Sequence, residues 1–156
     1  GHVRAKFVRD MMKNFPLYLQ TSSFDCGPCC LRMIVAYHGK HYSSKELEKL
    51  FKFSSEGASL LQIRNAAIKL GFEAVALRVT FAQLDDMVIL PCIIHWERKH
   101  FVVIPPQNYS RKEPSDMVTI ADPLTGMLKL KKEDFLKFWI DPADNKGVVL
   151  IMEPKD

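Results

Sequence analysis

The chain lacks the features that mark an extracellular, membrane-spanning or nucleic-acid-binding protein. It has only four cysteines, Cys26, Cys29, Cys30 and Cys92. The first three are crowded together, so they cannot supply the spaced framework of a small disulfide-stapled domain. The first residues are charged and no apolar stretch follows them, which argues against a secretory signal. No run reaches the roughly 18 apolar residues of a membrane helix. Neither sign of charge dominates: 22 Lys and Arg stand against 18 Asp and Glu, a net charge of +4. The densest basic stretch, Lys129 to Lys132, alternates with Leu128 and Leu130 and reads as a strand entering a helix, not a nucleic-acid-binding face. There is no G-x-x-x-x-G-K-[ST] phosphate loop, no internal repeat and no low-complexity segment. The expectation is a reduced, cytoplasm-facing domain. Gly1 and His2, with no initiating Met, read as an expression scar.

What the chain does have is enough apolar material for a core: 47% of its 156 residues are hydrophobic. Phe15 to Gln20 reads as extended, followed by a polar loop. Cys26 to Tyr37 has helical spacing, with Pro28 in the first turn and Gly39 as the stop. Capping boxes mark three further helix starts: Ser43 with Glu46, Ser59 with Gln62, and Thr80 with Gln83. Phe72 to Val79 reads as a strand. Val88 to Trp96 and His100 to Ile104 are apolar β-branched runs joined by a Glu97-Arg98-Lys99 turn. A Pro-rich charged loop, Pro105 to Asp116, precedes strands at Met117 to Ala121 and Met127 to Leu130, a helix at Lys132 to Trp139, and a strand at Gly147 to Met152. Helices first and antiparallel strands second give an α+β fold, not a parallel βαβ one. One domain is expected over residues 3–153, helical over about 14–71 and sheet over about 72–153.

The chemistry concentrates in Gln20-Thr-Ser-Ser-Phe-Asp25-Cys26-Gly27-Pro28-Cys29-Cys30. A cysteine opening a helix meets unsatisfied N–H groups and the positive end of the dipole, both of which favour thiolate. Gly27 is expected to leave room for a substrate backbone. A covalent acyl-transfer mechanism also needs an imidazole. Of the five histidines, His2 is terminal, His38 and His41 flank a helix end, and His95 reads as a cross-strand packing residue beside Trp96. His100 opens a rigid strand and is the candidate base. Asp122, after the next strand, is the candidate for orienting it, against the plain reading of a turn aspartate before proline. Gln20 is the candidate side-chain donor to an oxyanion, with the Cys26 N–H as the second. Cys29 and Cys30 read as packing residues, with oxidation joining Cys26 to Cys29 as a route to inactivation.

These segments together resemble the peptidase domain of bacteriocin-processing ABC transporters. Gln20, Asp25-Cys26-Gly27 and Cys29 resemble its start. Glu56-Gly57-Ala58-Ser59-Leu60, Ala66-Ala67 and Leu70-Gly71-Phe72 are similar to its helical segment. Leu90-Pro91-Cys92-Ile93-Ile94-His95-Trp96 and Lys99-His100-Phe101-Val102-Val103 resemble its histidine hairpin, and Ile120-Ala121-Asp122-Pro123 its aspartate motif. The likeness runs over roughly residues 14–140. It implies a papain-like fold and a cysteine endopeptidase that cleaves leader peptides after a Gly-Gly pair during export. It implies Cys26 as nucleophile, His100 as base, Asp122 as its partner and Gln20 as oxyanion donor, with no cofactor and no metal. It further implies a place on the cytoplasmic face of the membrane, in a transporter with a membrane-spanning part and an ATPase domain. Neither lies in this chain, which reads as an excised domain or a stand-alone relative. A narrow groove would admit Gly-Gly, and an apolar patch would take a leader helix. The loop from Pro105 to Asp116 looks like an insertion, read as surface decoration.

Three rivals stand beside this. Cys26-Gly27-Pro28-Cys29 has the C-x-x-C form of a thioredoxin-like oxidoreductase, which would need a strand just before it. Cys26, Cys29 and Cys30 are too few for a closed zinc site. A relative that binds leaders without cutting them is the third.

Overall fold

The computed structural model describes residues 15–22, 25–52, 57–97, 99–107 and 117–155. The first long helix, α1 (Cys26–Tyr37), is buried along its whole length except at Arg32 and Tyr37. A helix that is apolar almost all round belongs inside, and elements pack around this one. Gly39, at φ +87, ends it in a conformation that a side chain would disfavour. Arg32 stacks its guanidinium 3.7 Å from the centre of the Tyr18 ring and donates to the Tyr42 carbonyl, holding the extended segment 15–20 against the helix. The two short helices α2 (Ser44–Glu48) and α3 (Leu60–Lys69) begin at the Ser43 and Ser59 capping boxes, both closed in both directions. α3 buries Ile63, Ala66 and Ala67 and leaves Leu61 and Ile68 exposed.

The sheet has six antiparallel strands, β1 (Phe72–Val79), β2 (Cys92–Trp96), β3 (His100–Ile104), β4 (Met117–Asp122), β5 (Gly126–Lys131) and β6 (Gly147–Pro154). Their order in space is β1-β6-β2-β3-β4-β5. The last strand therefore inserts between the first two, which makes β2 and β3 central. Two more helices, α4 (Phe81–Met87) and α5 (Lys132–Trp139), lie with the sheet's second face.

The core has two compartments, one on each side of the sheet. α1 to α3 meet Ile93, Phe101, Val103 and Leu150 on one side. Leu84 of α4 and Phe135 and Trp139 of α5 meet Ile94, Val102, Ile104 and Val149 on the other. Adjacent residues such as Ile93 and Ile94 are thus both fully buried, on opposite faces. Burial on both faces explains the unbroken apolar runs of β2 and β3, where a one-sided sheet would alternate. Each such isoleucine stabilises the fold by about 1.5–3 kcal/mol over an exposed one. Trp139 lies across β6 at Gly147, where a Cβ would fall 2.1 Å from the ring, and its indole N–H donates to the Val148 carbonyl.

The α+β expectation holds, and most element bounds agree with the sequence pattern. Three details differ. The helical layer is not the only cover, because α4 and α5 close the other face. The run from Val88 becomes strand only at Cys92, after a cis Leu90–Pro91 bond; proline has no N–H to give a ladder. Asp122 is the last residue of β4, not a residue beyond it. Of the loop expected over 105–116, residues 108–116 lie outside the described residues. At its start, Gln107 accepts from the Thr119 N–H and donates to the Thr119 carbonyl, standing in for a strand neighbour along β4.

Candidate active site

Cys26 is the first residue of α1, and the helix is locked in place one turn further on. Cys30, on the same face, donates its Sγ–H to the Phe101 carbonyl at 3.3 Å. Phe101 follows His100, so this contact sets the start of α1 against the start of β3. The Cys26 side chain lies close enough to the His100 ring to favour its charged form. In the antiparallel sheet the end of β4 lies beside the start of β3. Asp122 accordingly meets the ring: His100 Nε2 and Asp122 Oδ1 are 2.7 Å apart. With Nε2 turned to Asp122, Nδ1 is left for Cys26.

Electrostatics reinforce this line of three. Burial disfavours a charged His100, but the hydrogen bond to Asp122 and the nearby Cys26 side chain outweigh it and carry the pKa up to about 9. Burial pushes Asp122 the other way, yet the hydrogen bonds from His100, the Leu124 N–H and Thr125 hold its carboxyl below the usual range. The two directions agree: at neutral pH the pair is imidazolium and carboxylate.

Gln20 arrives from the extended segment. Its backbone N–H donates to the carbonyl of Pro123, the residue after Asp122, at 2.8 Å. Its Nε2 donates to the Ser22 carbonyl at 2.8 Å, while Oε1 is buried with no partner among the described residues. One amide N–H is committed and the other is available. Gln20, Thr21, Ser22, Trp96, Glu97, His100, Asp122 and Leu124 line an open groove of about 550 Å³. A larger cleft, of about 830 Å³ between β1 and α5, is lined by Arg78, His95, Glu97, Trp139 and Lys146 among others but by no cysteine, whereas the smaller groove holds the His100–Asp122 pair and Gln20. The chemistry points to the smaller groove.

All four sequence candidates thus gather at one place, and His38 and His95 stay apart. His95 stacks on Phe101, its partner across the β2–β3 pair, with ring centres 5.1 Å apart. His38 ends α1 beside Tyr37 and Phe72. Trp96 is buried, as expected of a core residue, but also walls the groove. Gly27 needs a different explanation from the one expected. A Cβ there would meet Ile63 at 3.0 Å and Ala58 at 3.3 Å, so the missing side chain makes room for α3, not for a substrate.

The oxidoreductase reading fails on the fold, because among the described residues no strand precedes Cys26 and all six strands pair antiparallel. Cys29 also has the wrong character. Burial and the nearby Asp25 charge push its thiol up to about 12, and its Sγ–H is given to the Tyr18 carbonyl at 3.2 Å. A thiol so held is a poor partner for oxidation with Cys26. Cys30 is fully buried, and burial pushes its thiol well up. The sulfurs of Cys29 and Cys30 bond to different carbonyls and do not converge on a shared ligand. Sequence reasoning assigns no role to Leu124 and Thr125, whose donors hold Asp122. Their only signal was position, in a turn directly after the aspartate.

Three comparisons bear on this arrangement. The family model described as peptidase C39 family matches residues 14–156. Among curated proteins, the chain is 31% identical over 133 residues to the colicin V secretion/processing ATP-binding protein CvaB of Escherichia coli, covering 84% of this chain and 18% of that protein. It is 30% identical over 143 residues to the transport/processing ATP-binding protein ComA of Streptococcus pneumoniae, covering 86% of this chain and again 18% of the relative. The chain therefore spans less than a fifth of the length of these relatives. Among solved structures, it superposes on a double glycine motif protease from an AMS/PCAT transporter, in complex with the leader peptide. The TM-score is 0.78 at 28% identity, over 90% of this chain and 91% of that one. The peptidase domain of Streptococcus ComA gives a TM-score of 0.75 at 27% identity, over 91% and 100%.

Proposed function

The chain belongs to the peptidase C39 family, and from that premise we propose that it is a cysteine endopeptidase domain that cuts the leader of an exported peptide after a Gly-Gly pair. Its catalytic residues are Cys26, His100, Asp122 and Gln20. The observation that carries this reading is His100 held 2.7 Å from Asp122, with the Cys26 side chain near enough to favour the charged ring.

Cys26, as thiolate beside the protonated His100, attacks the carbonyl of the second glycine. The oxyanion that forms is met by the free amide N–H of Gln20 and the backbone N–H of Cys26, an orphan donor of the first helical turn. His100 then gives its proton to the leaving amine, which releases the cargo and leaves the leader as a thioester on Cys26. A water enters, His100 takes its proton, and the acid leaves. Asp122 keeps Nε2 engaged so that Nδ1 faces the sulfur throughout. Trp96 and Leu124 in the groove walls support a preference for residues without side chains at the cut. Exposed Leu19, next to Gln20, and exposed Leu124 offer apolar surface for the leader.

The relatives' names, and the small share of their length that this chain spans, support a place in a larger transporter. In it this domain faces the cytoplasm beside membrane-spanning and ATPase parts. No helix among the described residues is long and apolar enough to cross a membrane.

The test is cleavage of a synthetic leader peptide bearing Gly-Gly followed by a few cargo residues. Mass spectrometry should find the cut after the second glycine, lost in Cys26→Ala and in His100→Ala. Cleavage that survives Cys26→Ala would mean another nucleophile.

A further inference from the structure

Asp25 directly precedes the nucleophile and is one of two acidic side chains buried among the described residues, the other being Asp122. It occupies the N-cap position of α1, where an aspartate normally accepts from the helix's own first N–H groups. Here its side chain makes no such bond. It turns back along the chain instead. Oδ2 accepts from the Thr21 N–H and hydroxyl, both at 3.1 Å; Oδ1 accepts from the Ser22 N–H at 3.0 Å and its hydroxyl at 3.3 Å. Four donors from two consecutive residues fill the acceptor capacity of a carboxylate.

The residue just before this clamp is Gln20. Its amide bonds to the carbonyl of Ser22, and its backbone N–H bonds to Pro123. The amide is thus suspended between the turn after Asp122 and a carbonyl whose residue is fixed by Asp25. A buried negative charge is otherwise out of place here. It opposes a thiolate at the helix start, and it is one of the causes that push the neighbouring Cys29 thiol up. Geometry, not charge, accounts for a carboxylate at this position.

We infer that Asp25 is a positioning residue for the oxyanion hole: by clamping Thr21 and Ser22 it holds the Gln20 amide where the oxyanion forms. This rests on Gln20 being the oxyanion donor of the proposed peptidase.

The experiment compares Asp25→Asn, Gln20→Ala and the double variant on the Gly-Gly leader peptide, and measures Cys26 alkylation by iodoacetamide on each. Alkylation needs the thiolate and its imidazolium but no oxyanion hole, so it reads Cys26 separately. Asparagine has one acceptor oxygen for two sets of donors, so the clamp opens on one side. Expected are a kcat lower by about ten-fold or more in Asp25→Asn, KM within about two-fold, alkylation within about two-fold, and little further loss when Asp25→Asn is added to Gln20→Ala. Multiplying losses in the double variant would overturn the inference, as would alkylation that falls in step with kcat or an unchanged kcat. A silent Gln20→Ala would instead remove the oxyanion assignment itself, and this inference with it. Should Asp25→Asn fail to fold by circular dichroism, the Thr21→Val, Ser22→Ala variant, which removes only the hydroxyl donors, decides. A kcat loss of about three-fold or more that disappears in the Gln20→Ala background supports the clamp, and no loss refutes it.

Discussion

Replacing Asp122 with asparagine keeps the shape of the side chain and removes its charge, which makes it the sharpest probe of His100. A free imidazole titrates near 6.5, and His100 titrates at about 9. At about 1.4 kcal/mol for each pH unit, that difference is on the order of 3 kcal/mol in favour of the imidazolium. Burial of the ring works against this, so Asp122 and Cys26 together supply more than the net figure. In Asp122→Asn the burial stays and the carboxylate goes. The pKa should fall by about one to two pH units, and the alkaline limb of kcat/KM should move down from near pH 9 by the same amount. At pH 8 the loss from this titration should be about two- to ten-fold. The assay is kcat/KM for the Gly-Gly leader across pH 5 to about 10, with Cys26 alkylation followed in parallel. Stability moves with the same sign. A His with a raised folded pKa stabilises fully below about pH 6.5 and loses that contribution as pH rises through about 9. Wild type should therefore weaken over that window, and Asp122→Asn should weaken much less. An alkaline limb that stays near pH 9 in the variant, with activity at pH 8 intact, would refute the reasoning.

Gln20→Ala should lower kcat by about a hundred-fold and leave KM nearly unchanged, as read from steady-state kinetics, because the lost donor acts on the oxyanion. Cys29→Ala should keep peptidase activity within about three-fold and lose about 0.5–1.5 kcal/mol in urea unfolding, the worth of its bond to the Tyr18 carbonyl. Gly147→Ala should cost about 1–3 kcal/mol in the same unfolding assay, since its Cβ has nowhere to go under Trp139.

The helices were legible because their signals are local. The Ser43, Ser59 and Thr80 boxes bond in the structure as their spacing requires. The central strands were legible as apolar runs, but their place in the sheet was not. That β6 inserts between β1 and β2 depends on pairings across some 50 residues or more of chain, which no local pattern encodes. The catalytic candidates were found through residue type and resemblance. What escaped were residues whose meaning is purely spatial. Gly27 suits a substrate in one dimension and Ile63 in three. Asp25 stands at the N-cap position of α1, yet its carboxylate faces away from the helix. Cys30 reads as filler, and its thiol is what registers α1 on β3.

The central claim is that one of four cysteines, the one opening α1, attacks at Gly-Gly. Incubation with a leader peptide ending in Gly-Gly-chloromethyl ketone, followed by peptide mapping, tests it directly. The account requires a single covalent adduct on Cys26, abolished in His100→Ala. An adduct on Cys29, Cys30 or Cys92, or none at all while leader cleavage continues, would contradict it.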